Sequence, residues 1–155
     1  MRYAMTEQFI IQSDTDNLPL VEERLFHFCH EFHVGRYFSA VSVATMQAVK
    51  NAIEHGNQGQ PEKRVEVTFG TCRGGICVEV ADEGNGFEYS RYGTLSDDTS
   101  QGEGIFVMRQ LADRMEFSKN GSRVRLEFVV DGIDPADAIE RAAVIRSHYH
   151  MYSVA

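Results

Sequence analysis

The sequence predicts an α+β protein in which helices pack on one face of a mixed, mostly antiparallel sheet, a two-layer α/β sandwich. Three observations support this fold class. The first third of the chain carries two long segments with apolar residues at helical spacing. Two alternating segments joined by a short turn follow, and a third alternating segment ends at residue 130. Strands joined by such a short turn pair antiparallel.

The first part of the chain is predicted to hold a weak strand at residues 3–12 and helices at residues 17–34 and 38–55. In the second helix, a rotation of about 100° per residue places the apolar side chains on one arc. Gln47, Asn51 and Glu54 fall together on the opposite side. The pattern therefore predicts one polar stripe that faces away from the core.

The next two strands, at residues 64–71 and 75–82, read as a β-hairpin because both alternate and only a short turn separates them. The alternation of the second strand continues to Asp82, which places this carboxylate on the core-facing side. The elements predicted after the hairpin are a polar loop over residues 84–104, a short helix with Ile105, Met108, Leu111, Ala112 and Met115 on one side, and a strand at residues 123–130.

Domain organisation changes after Val130. No repeat, low-complexity tract or linker precedes this residue, so residues 1–130 are expected to form one domain. Asp134 suits a helix N-cap and Pro135 suits the first helical position. Residues 131–155 are therefore expected to form a helical tail that covers a sheet edge or meets a partner.

Charge and hydropathy argue against two classes of partner. The 155 residues include 15 basic and 23 acidic side chains, which give a formal charge of -8. An acidic protein repels nucleic-acid phosphates, so no direct nucleic-acid partner is expected. No segment approaches the roughly 18 consecutive apolar residues of a membrane helix, and the N-terminus lacks a signal-peptide pattern. We expect a cytoplasmic protein without a membrane partner.

Two glycine clusters are candidate ligand-binding segments. Gly84 and Gly86 follow Asp82, and glycine allows the backbone to adopt positive φ and to approach a ligand closely. Gly102 and Gly104 open the predicted short helix, where free N–H groups suit a phosphate. The chain has neither the P-loop pattern nor the dinucleotide-binding GxGxxG pattern. Each cluster alone is therefore a weak signal.

Three segments taken together resemble a known family. They are Asn-Ala-Ile-Glu-His-Gly-Asn at residues 51–57, Asp-Glu-Gly-Asn-Gly-Phe at residues 82–87, and Gly-Glu-Gly-Ile at residues 102–105 with Leu-Ala-Asp at residues 111–113. In this order and spacing the chain resembles the GHKL ATP-binding family, which has the Bergerat fold, over about residues 5 to 130. Within that family it is most like the bacterial anti-sigma-factor serine/threonine kinases.

The resemblance implies an ATP and Mg²⁺ site with distinct roles for its residues. Asp82 would accept a hydrogen bond from the adenine amino group, and Asn51 would bind the Mg²⁺ that bridges the phosphates. Residues 90–101 would form a short mobile lid. The remaining implied contacts are Gly84 and Gly86 around the adenine, Ser122 near it, and Gly102 and Gly104 around the triphosphate.

The resemblance also implies partners. Related proteins form homodimers, hold a sigma factor in an ATP-dependent complex, and phosphorylate a serine on an anti-sigma-factor antagonist, which releases the sigma factor. A sensor histidine kinase is the poorer match, because this chain shows no membrane segment and no phosphoacceptor helix pair. This chain is therefore expected to be an ATP-binding anti-sigma factor with protein kinase activity.

One residue departs from the family pattern. Four residues before Asn51 these kinases carry a glutamate base, and this chain carries Gln47, whose amide cannot take a proton at neutral pH. Glu54 lies on the same predicted stripe, roughly 10 Å further along the helix axis, and is a weak alternative base. Two hypotheses stay open: a serine kinase, and a catalytically weak regulator that acts only by sequestering its partner.

Overall fold

The computed structural model describes residues 6–32, 34–72, 74–87 and 100–130, which form a five-stranded sheet with helices on one face. The strands are β1 (Thr6–Gln12), β2 (Arg64–Cys72), β3 (Gly75–Ala81), β4 (Arg114–Ser118) and β5 (Arg123–Val129), and the helices are α1 (Leu18–Glu31), α2 (Phe38–Asn51) and α3 (Ser100–Leu111). The strand order is β1-β2-β3-β5-β4, with antiparallel neighbours. The predicted two-layer sandwich is confirmed.

The inner face of the sheet carries the apolar half of each alternating segment. One row crosses all five strands, because the register aligns Phe9, Val67, Val80, Val124 and Phe117. The three valines of this row are buried, and the two phenylalanines pack against the core from the edge strands. The helices therefore pack on an apolar row of side chains. One end of this row also lines a cavity, through Val80, Val124 and Phe117.

Helix α2 is the central helix of the upper layer, since α1 and α3 both pack against it. Its residues from Ala40 to Val49 are all buried. The predicted polar stripe is therefore wrong in one respect: Gln47 does not face solvent, and its side chain is only 6% exposed. Gln47 is buried because helix α3 packs against this side of α2, with Gly104 next to the Gln47 side chain. The pattern of α2 alone does not indicate this contact.

A wider turn continues α2 beyond Asn51. Residues Ala52–Gly56 form a π-helical turn, in which the Asn57 N–H donates to the Ala52 carbonyl at 2.8 Å. Such i to i+5 turns break the regular helical rotation and are frequent at functional sites. Glu54 is exposed on this turn, whereas Ala52 and Ile53 are buried.

The region after the hairpin differs from its prediction in two ways. The helix begins at Ser100, so Gly102 and Gly104 lie inside α3 and the predicted loop over residues 84–104 is too long at its end. The helix also ends at Leu111, and Met115 lies on strand β4, which the sequence analysis missed. The Asp113 N–H donates to the Glu127 carbonyl at 2.8 Å, which starts the pairing of β4 with β5.

Some predictions fall on residues that the structure does not describe. The helical tail at residues 131–155 and the lid segment from residue 90 to residue 99 lie outside the described ranges. The last two residues assigned to the lid, Ser100 and Gln101, belong to α3. No helix in the described part of the chain is long and apolar enough to cross a membrane.

Candidate functional site

A cavity of about 660 Å³, a volume that includes open solvent at its mouth, lies between the end of α2, the sheet and α3. Helix α2 and its π-helical turn supply one part of the lining, strands β3, β4 and β5 supply another, and Gln101 and Met108 of α3 supply a third. The lining residues from the predicted site are Asn51, Asp82, Gly86 and Ser122.

Asp82 is the carboxylate in this cavity, and backbone groups fix its position. Its own N–H donates to the Ser122 carbonyl at 2.9 Å, and its Oδ1 accepts the Gly84 N–H at 2.8 Å. Burial raises the pKa of this carboxyl above its ordinary value, although the Gly84 N–H and the positive charge of Lys63 act in the opposite direction. Asp82 is thus a half-buried acceptor that lines the cavity.

Two glycines make room for this arrangement. A Cβ at Gly56 would overlap the Asp82 carboxylate, so only glycine lets the π-helical turn lie against that group. Gly86 has φ of +84°, and a Cβ there would overlap the Asn120 carbonyl oxygen. The chain after Asp82 can therefore bend sharply beside the cavity only with glycine at this position. Gly86 was predicted to shape the pocket; Gly56 was not assigned a role.

The apolar part of the cavity is partly aromatic. Phe87 and Phe117 lie edge to face with their ring centroids 5.4 Å apart, and both line the cavity. Val80 and Val124, which are paired on neighbouring strands, also line the cavity. A flat heteroaromatic ring with one polar edge would fit this combination of apolar walls and a single carboxylate.

The other end of the site is made of amides and glycines. A Cβ added to Gly104 would lie 3.0 Å from both Asn51 Nδ2 and Gln47 Oε1, so the first turns of α3 lie directly against these two side chains. Gly102 is also buried in this part of α3. Of these four residues only Asn51 lines the cavity itself. The predicted residues Gln47 and Asn51 thus lie together against Gly104.

The structure separates one predicted residue from this group. Glu54 is exposed on the π-helical turn and does not line the cavity. His55 and Gln101 do line it, although neither was predicted as a site residue. His55 belongs to the segment at residues 51–57 that resembles the family, so its place in this motif was the sequence signal for a position at the site. Among the described residues, no cluster of three or more His, Cys, Asp or Glu side chains is placed to hold a metal ion.

Comparison with known proteins identifies a matching family and similar proteins. The model of the histidine kinase-like ATPase domain matches residues 12–128. Two similar proteins are named anti-sigma F factor, from Clostridium botulinum strains Eklund 17B (Type B) and Alaska E43 (Type E3). Each is 28% identical to this chain over 98 residues, which covers 57% of this chain and 68% of the relative.

Proposed function

The chain belongs to the histidine kinase-like ATPase family, and from this premise we propose that it binds ATP in the cavity that Asp82 lines. The position of Asp82 is the observation that supports this proposal most directly. An ionised carboxylate offers about four acceptor sites, and the Gly84 N–H uses one of them. An adenine amino group supplies the donor that this carboxylate needs, while the apolar walls cover the faces of the ring.

At the other end of the cavity we assign the phosphates to the start of α3. The N–H groups at a helix start favour anionic groups. Gln101 in the first turn of α3 lines the cavity, and Gly104 lets this helix lie against the Asn51 side chain. The Asn51 side chain lines the cavity and offers the amide oxygen that Mg²⁺ accepts. Mg²⁺ commonly takes its other ligands from phosphates and water, so one protein ligand is sufficient. The ion would neutralise phosphate charge.

We propose that the protein acts as an anti-sigma factor. Two relatives named anti-sigma F factor support this assignment. In this proposal a sigma factor is the sequestered partner, an anti-sigma-factor antagonist is the protein that receives phosphate on a serine, and the chain acts as a homodimer. Capture of a sigma factor from the source cell in the presence of Mg²⁺ and ATP, and its loss without nucleotide, is the expected result.

The identity of residue 47 favours a second candidate function, sequestration without efficient phosphoryl transfer. Gln47 is buried beside Asn51 and carries an amide where a base is needed to take the serine proton. The lack of a positioned base costs about 10² to 10⁴ in rate. Because phosphoryl transfer depends mostly on positioning and charge stabilisation, slow transfer is compatible with the geometry.

Calorimetry tests nucleotide binding. Titration of the protein with ATP in the presence of Mg²⁺ should give a saturable heat, and titration with GTP should give a much weaker one because guanine presents a carbonyl where adenine has its amino group. Absence of heat with every adenosine phosphate would contradict the proposed function.

Substitution Gln47→Glu tests the catalytic assignment. We expect ATP affinity to change little and serine phosphorylation of an antagonist to rise by about 10² or more, because a carboxylate restores the base. The variant should be less stable than the wild type, since it buries a charge. Phosphoserine formation under single-turnover conditions is the measurement, with Gln47→Ala as the control. An unchanged rate in Gln47→Glu means that residue 47 is not the base position.

A further inference from the structure

Asn57 is a fully buried side chain that connects three separate parts of the chain. It is 0% exposed. Its Nδ2 donates to Ser13 Oγ at 2.7 Å and to the Arg64 carbonyl at 3.0 Å. Its Oδ1 accepts the Glu83 N–H at 2.8 Å. Both amide hydrogens and the amide oxygen are therefore engaged, as a buried amide requires.

The bond to Glu83 connects Asn57 to the Asp82 end of the cavity, where adenine is proposed to bind. This part of the cavity is called the base end. Glu83 follows Asp82 directly, and its N–H belongs to the peptide unit that leaves Asp82. The N–H that enters Asp82 is held by the Ser122 carbonyl. The backbone on both sides of Asp82 is thus fixed, by Ser122 on one side and by the Asn57 side chain on the other.

Asn57 is itself held by backbone geometry. Its N–H closes the π-helical turn on the Ala52 carbonyl, and that same turn contains Gly56, against which the Asp82 carboxylate lies. The Glu83 side chain also accepts the Arg64 N–H, while the Arg64 carbonyl accepts from Asn57. Asn57 therefore sets the distance between the turn after α2 and the turn after β3, the two segments on either side of the Asp82 carboxylate.

We propose that Asn57 is a positioning residue for purine selectivity: it holds Asp82 at the place where its carboxylate distinguishes an exocyclic amino group from a carbonyl. This inference rests on the proposed function, since it takes adenine as the ligand of Asp82. Asn57 does not line the cavity. It acts through the Glu83 N–H, and loss of that bond would remove the side-chain acceptor of this N–H and free the turn to move.

Ser13 provides the matched control for a purely structural role. It is 2% exposed, accepts from Asn57, and donates from its Oγ to the Lys63 carbonyl at 2.9 Å. It belongs to the same buried network, yet neither of these bonds reaches the turn after β3. Substitution Ser13→Ala should therefore lower stability without changing base selectivity.

The experiment compares binding of ATP and inosine triphosphate, which has a carbonyl in place of the adenine amino group, by calorimetry with Mg²⁺ present. For Asn57→Ala we expect the ratio of the two affinities to fall about tenfold, the scale of one hydrogen bond. Ser13→Ala should keep the wild-type ratio. Thermal unfolding of each variant checks that it is folded.

The outcomes separate this inference from the proposed function. If the wild type binds neither nucleotide, the proposed function fails. If the wild type prefers ATP and Asn57→Ala keeps that preference, or if Ser13→Ala loses it equally, the positioning role is refuted. Should Asn57→Ala not fold, Asn57→Ser, which is also too short to reach the Glu83 N–H, decides by the same ratio.

Discussion

The two ends of the cavity are built from different kinds of contact. At the base end, Asp82 is held by backbone hydrogen bonds to Ser122 and Gly84, and glycine is required beside it. At the phosphate end, the Gln47 and Asn51 amides meet Gly104 of α3. A carboxylate fixed by backbone groups is preorganised for one ligand edge, whereas the amides depend on how two helices pack. Changes at the base end should therefore act on all adenine ligands, and changes at the phosphate end only on ligands with phosphates.

The largest effect is expected for Asp82→Ala. Loss of the carboxylate removes the charged acceptor for the adenine amino group, and we expect affinity for both ATP and adenosine to fall about 100-fold. Calorimetry measures both ligands. Glu116→Ala is the matched control, because it removes one negative charge from the exposed side of β4. Equal binding by the wild type and Asp82→Ala would show that the base does not contact this residue.

A smaller and more selective effect is expected for Gly104→Ala. The added methyl group would lie 3.0 Å from Asn51 Nδ2 and from Gln47 Oε1, so both amides must shift slightly. ATP affinity in the presence of Mg²⁺ should fall by about tenfold, while adenosine affinity should stay unchanged. Gly35→Ala is the control, because the nearest side-chain atom to its added Cβ is His30 Nδ1 at 3.9 Å, an ordinary contact distance. Parallel loss of adenosine affinity would contradict the division of the cavity into two ends.

The same division explains how much the sequence predicted. The base end could be predicted because its residues are close together in the sequence. The alternation that buries Val80 continues directly to Asp82, and Gly84 lies two residues further on. Gly56 escaped prediction because the group that excludes its side chain is Asp82, which is distant in sequence. The burial of Gln47 also escaped, because it depends on helix α3, whose first residues were assigned to a loop.

Strand β4 illustrates an ambiguity that local pattern could not resolve. Met115 continues the helical series of Ile105, Met108 and Leu111, and it also alternates with Phe117 as in a strand. Pairing with β5 decides between them, since Met115 lies opposite Leu126 and Phe117 opposite Val124. The hairpin of β2 and β3 was predicted correctly because its two alternating segments are joined by a short turn, so the pairing partner was evident from the sequence.

The smallest expected effect is on the pH dependence of stability, which should differ between the protein without ATP and the protein with ATP at the base end. Because burial raises the pKa of Asp82 in the folded protein, the folded state binds more protons than the unfolded state between the ordinary and the raised value. The contribution of Asp82 to the free energy of unfolding therefore falls as pH rises through that range. Asp82→Asn lacks this term. Unliganded Asp82→Asn should thus be more stable than the wild type at neutral pH, with the difference shrinking on acidification.

ATP should show the opposite pH dependence in the wild type, since the amino group of adenine needs the ionised carboxylate and binding should weaken as pH falls through the raised pKa of Asp82. Urea unfolding of the wild type and Asp82→Asn across acidic pH, with and without ATP, measures both trends. The effect is small because Asp82 is only half buried and solvent screens its charge. A difference in stability between the wild type and Asp82→Asn that stays constant with pH would contradict this prediction. It would mean that the Asp82 carboxylate is as well solvated in the empty cavity as in the unfolded chain. The base end would then lack the desolvated acceptor that distinguishes it from the phosphate end.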